Sequence, residues 1–284
     1  MVKSSATTPG TLYIVATPIG NRDDISLRAL STLKSVDSIL AEDTRHSLQL
    51  LTALGIQKPL VSLHAHNEAE KSQQMIAALE QGKSLALISD AGTPLISDPG
   101  FPLVKLAREK QIAVVPIPGP CALITALSAA GIPCDSFTFV GFLPAKAAAR
   151  KKKLATLSTS EHTLIFYEAT HRIRDCIDDI IEVYGPDYDF VLAKELTKTF
   201  ERFVQGPATT VKRWLQEDDS HCKGEFVLLL PPKLQEISQL QEEETLTILL
   251  KELPLKQAVK LAALLTKGNK NELYKRALEL QHKD

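Results

Sequence analysis

Five short apolar runs recur through the first half of the chain, at Leu12–Ala16, Ser38–Ala41, Leu60–Leu63, Ser84–Ser89 and Ala113–Ile117. Each is followed by an amphipathic stretch, at Ile25–Lys34, Thr44–Leu54, Glu68–Gln81, Phe101–Lys110 and Cys121–Ala130. This alternation is the tightest constraint on the fold, because strands that run the same way need a crossover between them and a helix supplies it. It predicts a mostly parallel sheet with helices on both faces. The punctuation agrees, with Asp24 as an expected N-cap and Gly55 and Gly82 as C-terminal stops.

From about Cys134 the pattern changes. Strands are expected at Phe137–Phe142, Thr163–Glu168, Phe190–Glu195, Lys198–Gln205 and Glu225–Leu230, with a basic helix after the first and a helix over Thr170–Tyr184 after the second. Neighbouring strands without helices between them point to a second, mixed α/β domain. The expected division is residues 1–132, 133–232 and 233–284, with the first join at Gly131-Ile-Pro-Cys134. A cleft at that join is the default ligand site.

The third segment divides by charge. Pro231–Pro254 holds two Lys/Arg against five Asp/Glu, a balance of -3, and reads as a linker or the solvated start of a helix. Leu255–Asp284 holds seven against three, a balance of +4, on two expected short helices around a Gly268-Asn269 break. The whole chain of 284 residues sums to -1, so any contact with a polyanion must be local. With 44% apolar and 24% charged residues, disorder and collagen are excluded, and no apolar run has the length of a membrane span. Residues 1–10 read as a frayed leader, and Ala122–Ile132 as a buried helix. Cys121, Cys134, Cys176 and Cys222 form no CxxC pair, so neither a zinc knuckle nor a disulfide framework is suggested and a reducing cytoplasm is expected.

No two of the 13 glycines are two positions apart, so the GxG of dinucleotide and nucleotide loops is missing, as are the P-loop, HExxH and GxSxG motifs. Pro/Gly turns follow three of the expected strands instead: Thr17-Pro-Ile-Gly-Asn21, Ser89-Asp-Ala-Gly-Thr-Pro-Leu-Ile-Ser-Asp-Pro-Gly100 and Pro116-Ile-Pro-Gly-Pro120. One such turn is an ordinary connector. Three at the carboxyl ends of parallel strands would surround one crevice, with small residues that let main chain approach a ligand.

Polar groups stand beside these turns. Glu42-Asp-Thr-Arg-His46 follows the second strand, and there Arg45 suits a phosphate while Asp43 is a possible cap. His64-x-His66, read as strand, puts two rings on one face as a metal site would, but no third ligand with suitable spacing completes it. In the second half Glu168, Lys194 and Glu195 sit at strand ends, as reactive groups or as structural ion pairs. Lys146-Ala-Ala-Ala-Arg-Lys-Lys-Lys153 carries five positive charges, a phosphate-contacting face or a solvated one.

These turns carry a resemblance. TPIGN at Thr17, AEDTRH at Ala41, SDAGTPLISDPG at Ser89, PGPCA at Pro118, GFLP at Gly141, FYEATHR at Phe166, KELTKTFE at Lys194 and KGEFVLL at Lys223 are similar to motifs of the bacterial small-subunit ribosomal RNA methyltransferase I family. That family is a branch of the tetrapyrrole (corrin/porphyrin) methylases, and the likeness runs from about Leu12 to the C-terminus, including a helix-turn-helix-like tail. It implies methyl transfer from S-adenosylmethionine to the ribose 2'-oxygen of a decoding-region cytidine in 16S rRNA, by a cytoplasmic homodimer acting on the 30S subunit. It also implies two α/β domains of the tetrapyrrole methylase type, a parallel-sheet N-terminal one and a mixed-sheet second one, with a small helical appendage.

By that likeness the cofactor is held largely by main chain at Pro18, Gly20, Asp90, Gly92, Thr93, Ile96, Cys121 and Ala122, with Tyr167, Leu196 and Glu225 across the cleft. The reaction is an in-line displacement at a sulfonium methyl that requires no metal or covalent intermediate, only alignment, exclusion of water and removal of a proton. Glu42, His66, Asp90 and Glu168 are the candidate bases, and Arg45 and Lys194 would orient phosphate or stabilise the alkoxide. RNA is expected at Lys146, Arg150, Lys151, Lys152 and Lys153 and at Lys270, Lys275 and Arg276 of the tail. A tetrapyrrole C-methylase would share fold and cofactor without needing those basic segments. A DNA-binding regulator would use the tail but leave the strand-end turns without an acceptor.

Overall fold

The first half of the chain resolves into β1 (Thr11–Val15), α1 (Leu27–Ser35), β2 (Ser38–Ala41), α2 (Thr44–Ala53), β3 (Leu60–Ser62), α3 (Glu68–Glu80), β4 (Leu85–Leu87), α4 (Phe101–Glu109), β5 (Ala113–Ile117) and α5 (Ala122–Ala129). The structure is a computed structural model that describes residues 8–233, 239–266 and 268–281. The five strands form one parallel sheet in the order β3-β2-β4-β1-β5.

Alternate residues of each strand face opposite layers. Leu12, Leu40, Leu85 and Leu87 pack with Ile76 and Leu79 of α3 and Leu103 and Ala107 of α4. Val15, Ile39, Ala41 and Ala86 pack with Ala29 and Leu33 of α1 and Leu51 of α2. Both faces are therefore covered, as an all-parallel sheet requires.

Gly55 and Gly82 stop their helices at φ +66 and +88, but the N-cap of α1 is Ser26, whose hydroxyl accepts from Ala29 N at 3.1 Å. Asp24 instead closes a short 3₁₀ turn capped by Asn21, too early in the chain to reach the first turn of α1. Of the expected leader, residues 1–7 lie outside the described residues, while Gly10 is buried and donates to the Leu79 carbonyl at 2.8 Å.

The second half contains β6 (Phe137–Phe142), α6 (Ala147–Leu157), β7 (Thr163–Ala169), α7 (Ile173–Tyr184), β8 (Asp189–Lys194), β9 (Arg202–Pro207), α8 (Ala208–Glu217) and β10 (Glu225–Leu230). The sheet order is β6-β7-β10-β8-β9, parallel only between β6 and β7. One helix was not expected: α8 stands between β9 and β10, where Ala208, Val211 and Leu215 make a buried stripe at helical spacing. The strand expected from Lys198 starts only at Arg202, because Glu195 and Thr197 turn the chain with φ of +51 and +63.

The outer face of this sheet, with Leu164, Phe166, Phe190, Leu192, Phe226 and Leu228, packs on α6, α7 and α8. Its inner face, with Ile165, Val191, Ala193, Val227 and Leu229, packs on Leu123, Ala126 and Leu127 of α5 and on Ile19. At roughly 1.5–3 kcal/mol for each large apolar side chain buried, this layer binds the two sheets firmly. They belong to one unit, Met1–Pro232, and the expected join at residues 131–134 is the connection from α5 to β6.

The unit Lys233–Asp284 is helical: α9 (Gln239–Glu252), α10 (Leu255–Thr266) and α11 (Lys270–Gln281) close around Leu246, Val259, Ala262, Leu273 and Ala277. The acidic stretch is thus largely a helix of its own, and the two helices expected over Leu255–Asp284 are α10 and α11. The Gly268-Asn269 break separates α10 from α11, and Asn269 Oδ1 accepts from Asn271 N at 2.9 Å.

Candidate active site

The turns that follow β1, β4 and β5 are bonded to one another. Thr17 and Gly92 exchange main-chain hydrogen bonds of 2.9 and 3.0 Å, Thr17 Oγ1 donates to the Ser89 carbonyl at 3.2 Å, and Thr93 Oγ1 donates to the Pro120 carbonyl at 3.0 Å. Gly92 has φ +81, and a Cβ there would stand 3.3 Å from Ile19 Cγ2, so a side chain is disfavoured twice over. Farther along the middle turn Leu95 and Ser97 hold φ of +73 and +71, and Gly100 N donates to Glu68 Oε2 at 2.8 Å. Non-glycine residues in that region store strain, which gathers at functional sites.

Together these turns and the inner face of the second sheet enclose a crevice of about 390 Å³. Its acidic wall holds Glu42, Asp90 and Asp98, which come from the ends of β2 and β4 and from the far end of the middle turn. Asp90 Oδ1 accepts from Asp43 N at 3.2 Å. Burial, then the charge of Asp90, raises the Glu42 carboxyl above its ordinary range, with His64 pulling the other way. Burial, then Glu42, pushes Asp98 up to about 6.

The opposite wall is apolar. Tyr167 lies edge-on to Phe139 and Phe142, at ring separations of 4.9 and 5.9 Å. Its hydroxyl accepts from Leu123 N at 3.1 Å, so it satisfies an otherwise orphaned donor at the start of α5, and burial raises its pKa.

Asp90, Gly92, Thr93, Ile96, Cys121, Ala122, Tyr167, Leu196 and Glu225 all border the crevice. Pro18 and Gly20 border a neighbouring cavity instead. Asp98 and Phe142 also border the crevice and were missed, although both stand inside quoted motifs, SDAGTPLISDPG and GFLP.

Of the expected bases, Glu42 and Asp90 face the crevice. His66 does not lie on a strand: β3 ends at Ser62, and His66 is exposed in the following turn, its ring 5.9 Å from that of His64. His64, half-buried with an Nδ1 that has no hydrogen-bond partner, is the histidine whose charge acts on Glu42.

Glu168 borders the crevice, but its carboxylate is turned away from it. Tyr167 faces inward, so its neighbour on β7 must face outward, where the Glu168 carboxylate is fully buried against Arg172 at 3.0 Å and accepts from Ala169 N at 2.9 Å. Lys194 is likewise buried on the outer face, beyond inward-facing Ala193. Glu195 makes the structural ion pair, with Lys198 at 2.8 Å. Arg45 is exposed and bound to Asp43 at 3.2 Å, and Asp43 caps α2.

The basic segments need one correction. Arg150 is buried and pairs with Asp179 at 2.6 Å while donating to the Ala145 carbonyl at 3.1 Å, so it holds α6 against α7 and offers nothing to a polyanion. Lys151 pairs with Glu182 at 2.9 Å, whereas Lys146, Lys152 and Lys153 are exposed. On α11 Lys270 and Lys275 are exposed and Arg276 is half-buried.

Comparison with known proteins adds three findings. Residues 11–212 match the tetrapyrrole (corrin/porphyrin) methylases, and residues 236–281 match the RsmI C-terminal HTH domain. The chain is 50% identical over 286 residues to the ribosomal RNA small subunit methyltransferase I of Escherichia coli O157:H7, covering 98% of each chain. It is 52% identical over 271 residues to the protein of the same description from Vibrio cholerae serotype O1, covering 94% of each. Among solved structures, uroporphyrin-III-C-methyltransferase from Thermus thermophilus shares the fold, with a TM-score of 0.56 at 19% identity over 78% of this chain and 94% of that one.

Proposed function

The chain belongs to the tetrapyrrole methylases, in the branch of the ribosomal RNA small subunit methyltransferases I, and from this we propose that it moves a methyl group from S-adenosylmethionine to the ribose 2'-oxygen of a decoding-region cytidine in 16S rRNA of the 30S subunit. The observation that carries the reading is the crevice itself: Glu42, Asp90 and Asp98 oppose Phe142, Tyr167 and Leu196 in a cavity of about 390 Å³, the size of a small-molecule site. S-adenosylmethionine fits such a donor set, since it carries a sulfonium and an ammonium beside an adenosine that needs apolar and main-chain contacts. Bound there, it supplies an electrophilic methyl group.

The residues of the chain then divide the work. Glu42, Asp90 and Asp98 set a negative potential that attracts cations, and Gly92, Thr93, Cys121 and Ala122 bring main chain close on small side chains. Phe142, Tyr167 and Leu196 exclude water from the other side. Asp90, fixed by the Asp43 N–H, is the first candidate to accept the 2'-hydroxyl proton, and Glu42 is the second, its raised pKa making it a better proton acceptor than an ordinary carboxylate near neutrality. Glu168 and Lys194 take no part in this reading, because both side chains face the outer layer. Lys146, Lys152 and Lys153 around α6, Arg45 and His66 after β2 and β3, and Lys270, Lys275 and Arg276 on the tail are the proposed RNA contacts. The same reading takes the protein to be a cytoplasmic homodimer.

The test is to incubate 30S subunits lacking the modification with the protein and S-adenosylmethionine, and to map 2'-O-methylation along 16S rRNA. One new 2'-O-methyl cytidine in the decoding region is expected. Methyl incorporation into a tetrapyrrole precursor, with none into 30S subunits, would overturn the reading.

A further inference from the structure

A second cavity, of about 310 Å³, adjoins the crevice and shares Ile19, Asp90, Ala91 and Glu225 with it. Its floor is the turn after β1, its sides are Arg22 and the first turns of α2, and its far wall is Lys198. The floor is held rigidly. Asn21 N donates to Thr197 Oγ1 at 3.0 Å, and a Cβ on Gly20 would stand 2.5 Å from Lys198 Cγ.

In-line displacement at a methyl group requires the acceptor oxygen to arrive from a space that opens onto the cofactor site. A cavity with a common wall meets that requirement, and Asp90 stands on the wall. The charges differ between the two spaces. The crevice adds Glu42 and Asp98 to the shared Asp90 and Glu225, whereas the second cavity adds Arg22, His46 and Lys198 to them. Lys198 is neutralised by Glu195 and Glu225 at 2.8 and 2.7 Å. Among the described residues neither the Arg22 guanidinium nor the His46 ring pairs with a carboxylate, although His46 N donates to Asp43 Oδ1 at 3.4 Å, and both residues are exposed at the rim. Pro18, Ile19 and Leu50 add an apolar lining. A guanidinium and an imidazole at the rim, apolar surface within and room for little more than one nucleotide suit an unstacked nucleotide of a single-stranded RNA segment.

We propose that this cavity receives the acceptor nucleotide, with Arg22 and His46 holding its flanking phosphates and Asp90 meeting its ribose. The proposal rests on the rRNA reading above and adds the place where the substrate enters.

The experiment uses the full chain and the Arg22→Ala/His46→Ala double variant. Steady-state methyl transfer to unmodified 30S subunits is measured from low to physiological salt, and S-adenosylmethionine binding is measured by calorimetry. Loss of two phosphate contacts should raise the KM for 30S subunits by about tenfold or more and flatten the salt dependence by roughly one unit of slope, with cofactor affinity within about twofold of wild type. Arg22→Lys, which keeps the charge, should retain the wild-type slope. An active wild type beside a double variant of unchanged KM and slope would overturn the cavity assignment alone. A wild type inactive on 30S subunits would overturn the rRNA reading, and this inference with it.

Discussion

Replacing Asp98 by Asn separates the stability of the crevice from its use. Asp98 is half-buried among like charges, and its carboxyl is pushed from 3.8 up to about 6. A difference of about two pH units corresponds to ~3 kcal/mol before solvent screening, and partial exposure reduces it to roughly 1–2 kcal/mol. The sign follows from proton counting. Between about pH 4 and 6 the folded chain binds this proton and the unfolded chain has released it, so ionisation lowers wild-type stability as pH rises through that window.

Asn stays neutral at all pH values, so the variant should be more stable than wild type by roughly 1–2 kcal/mol at about pH 8, a gain that shrinks below about pH 6 and vanishes near pH 4. Urea unfolding of the ligand-free protein at about pH 4 and about pH 8 reads the difference. Cofactor affinity should move the other way, falling about tenfold, because one of the three charges facing the cation is gone. A variant no more stable than wild type at alkaline pH, or equally stabilised at both pH values, would refute the reasoning from charge crowding.

Arg150→Ala should cost about 3–5 kcal/mol, seen as a lowered thermal midpoint, because it strands the buried Asp179 carboxylate. Lys152→Glu/Lys153→Glu should leave the midpoint unchanged and weaken the salt-dependent part of 30S binding, since both side chains are exposed. Tyr167→Phe removes the acceptor of Leu123 N and should destabilise by about 1–3 kcal/mol in chemical denaturation, with a further loss of cofactor affinity measured by calorimetry. Ser26→Ala should cost about 1 kcal/mol in the same denaturation assay, whereas Asp24→Ala should cost much less.

The parallel sheet was legible because each strand is an apolar run between helices of clear period, and Ser38–Ala41, Ala113–Ile117, Phe137–Phe142 and Glu225–Leu230 fall where the sequence puts them. The missed helix α8 follows Gly206-Pro207 and has two β-branched threonines of low helical preference in its first turn, so only the spacing of Ala208, Val211 and Leu215 reveals its stripe. Two site errors share another cause. Charge and position made Glu168 and Lys194 attractive, but period-two alternation against Tyr167 and Ala193 already turned both away. Arg150 fails by the corresponding helical rule, since it is four residues from buried Leu154 and shares its face. Asp98 was hidden for a different reason. It shares its turn with Asp90, but Glu42 comes from the end of β2, and nothing in local spacing announces the convergence of the three.

Strain gives the last link between this architecture and the chemistry. The described non-glycine residues with positive φ are Leu95, Ser97, Gln111, Glu195 and Thr197, and all but Gln111 lie in the two turns that border the crevice or its neighbouring cavity. At roughly 1–2 kcal/mol each, such conformers persist only where surrounding bonds hold them. The bonds are present: Gly100 N to Glu68 on one side, Thr197 N to Glu201 at 2.6 Å and Glu225 N to Glu195 at 3.0 Å on the other. A site whose turns are fixed at such a cost is suited to catalysis by alignment, in which holding oxygen, methyl and sulfur in line lowers the barrier more than any one proton acceptor does. Both Glu42 and Asp90 then remain available to take the proton, and the loss of either should slow the transfer less than a disturbance of the turn that carries Leu95 and Ser97.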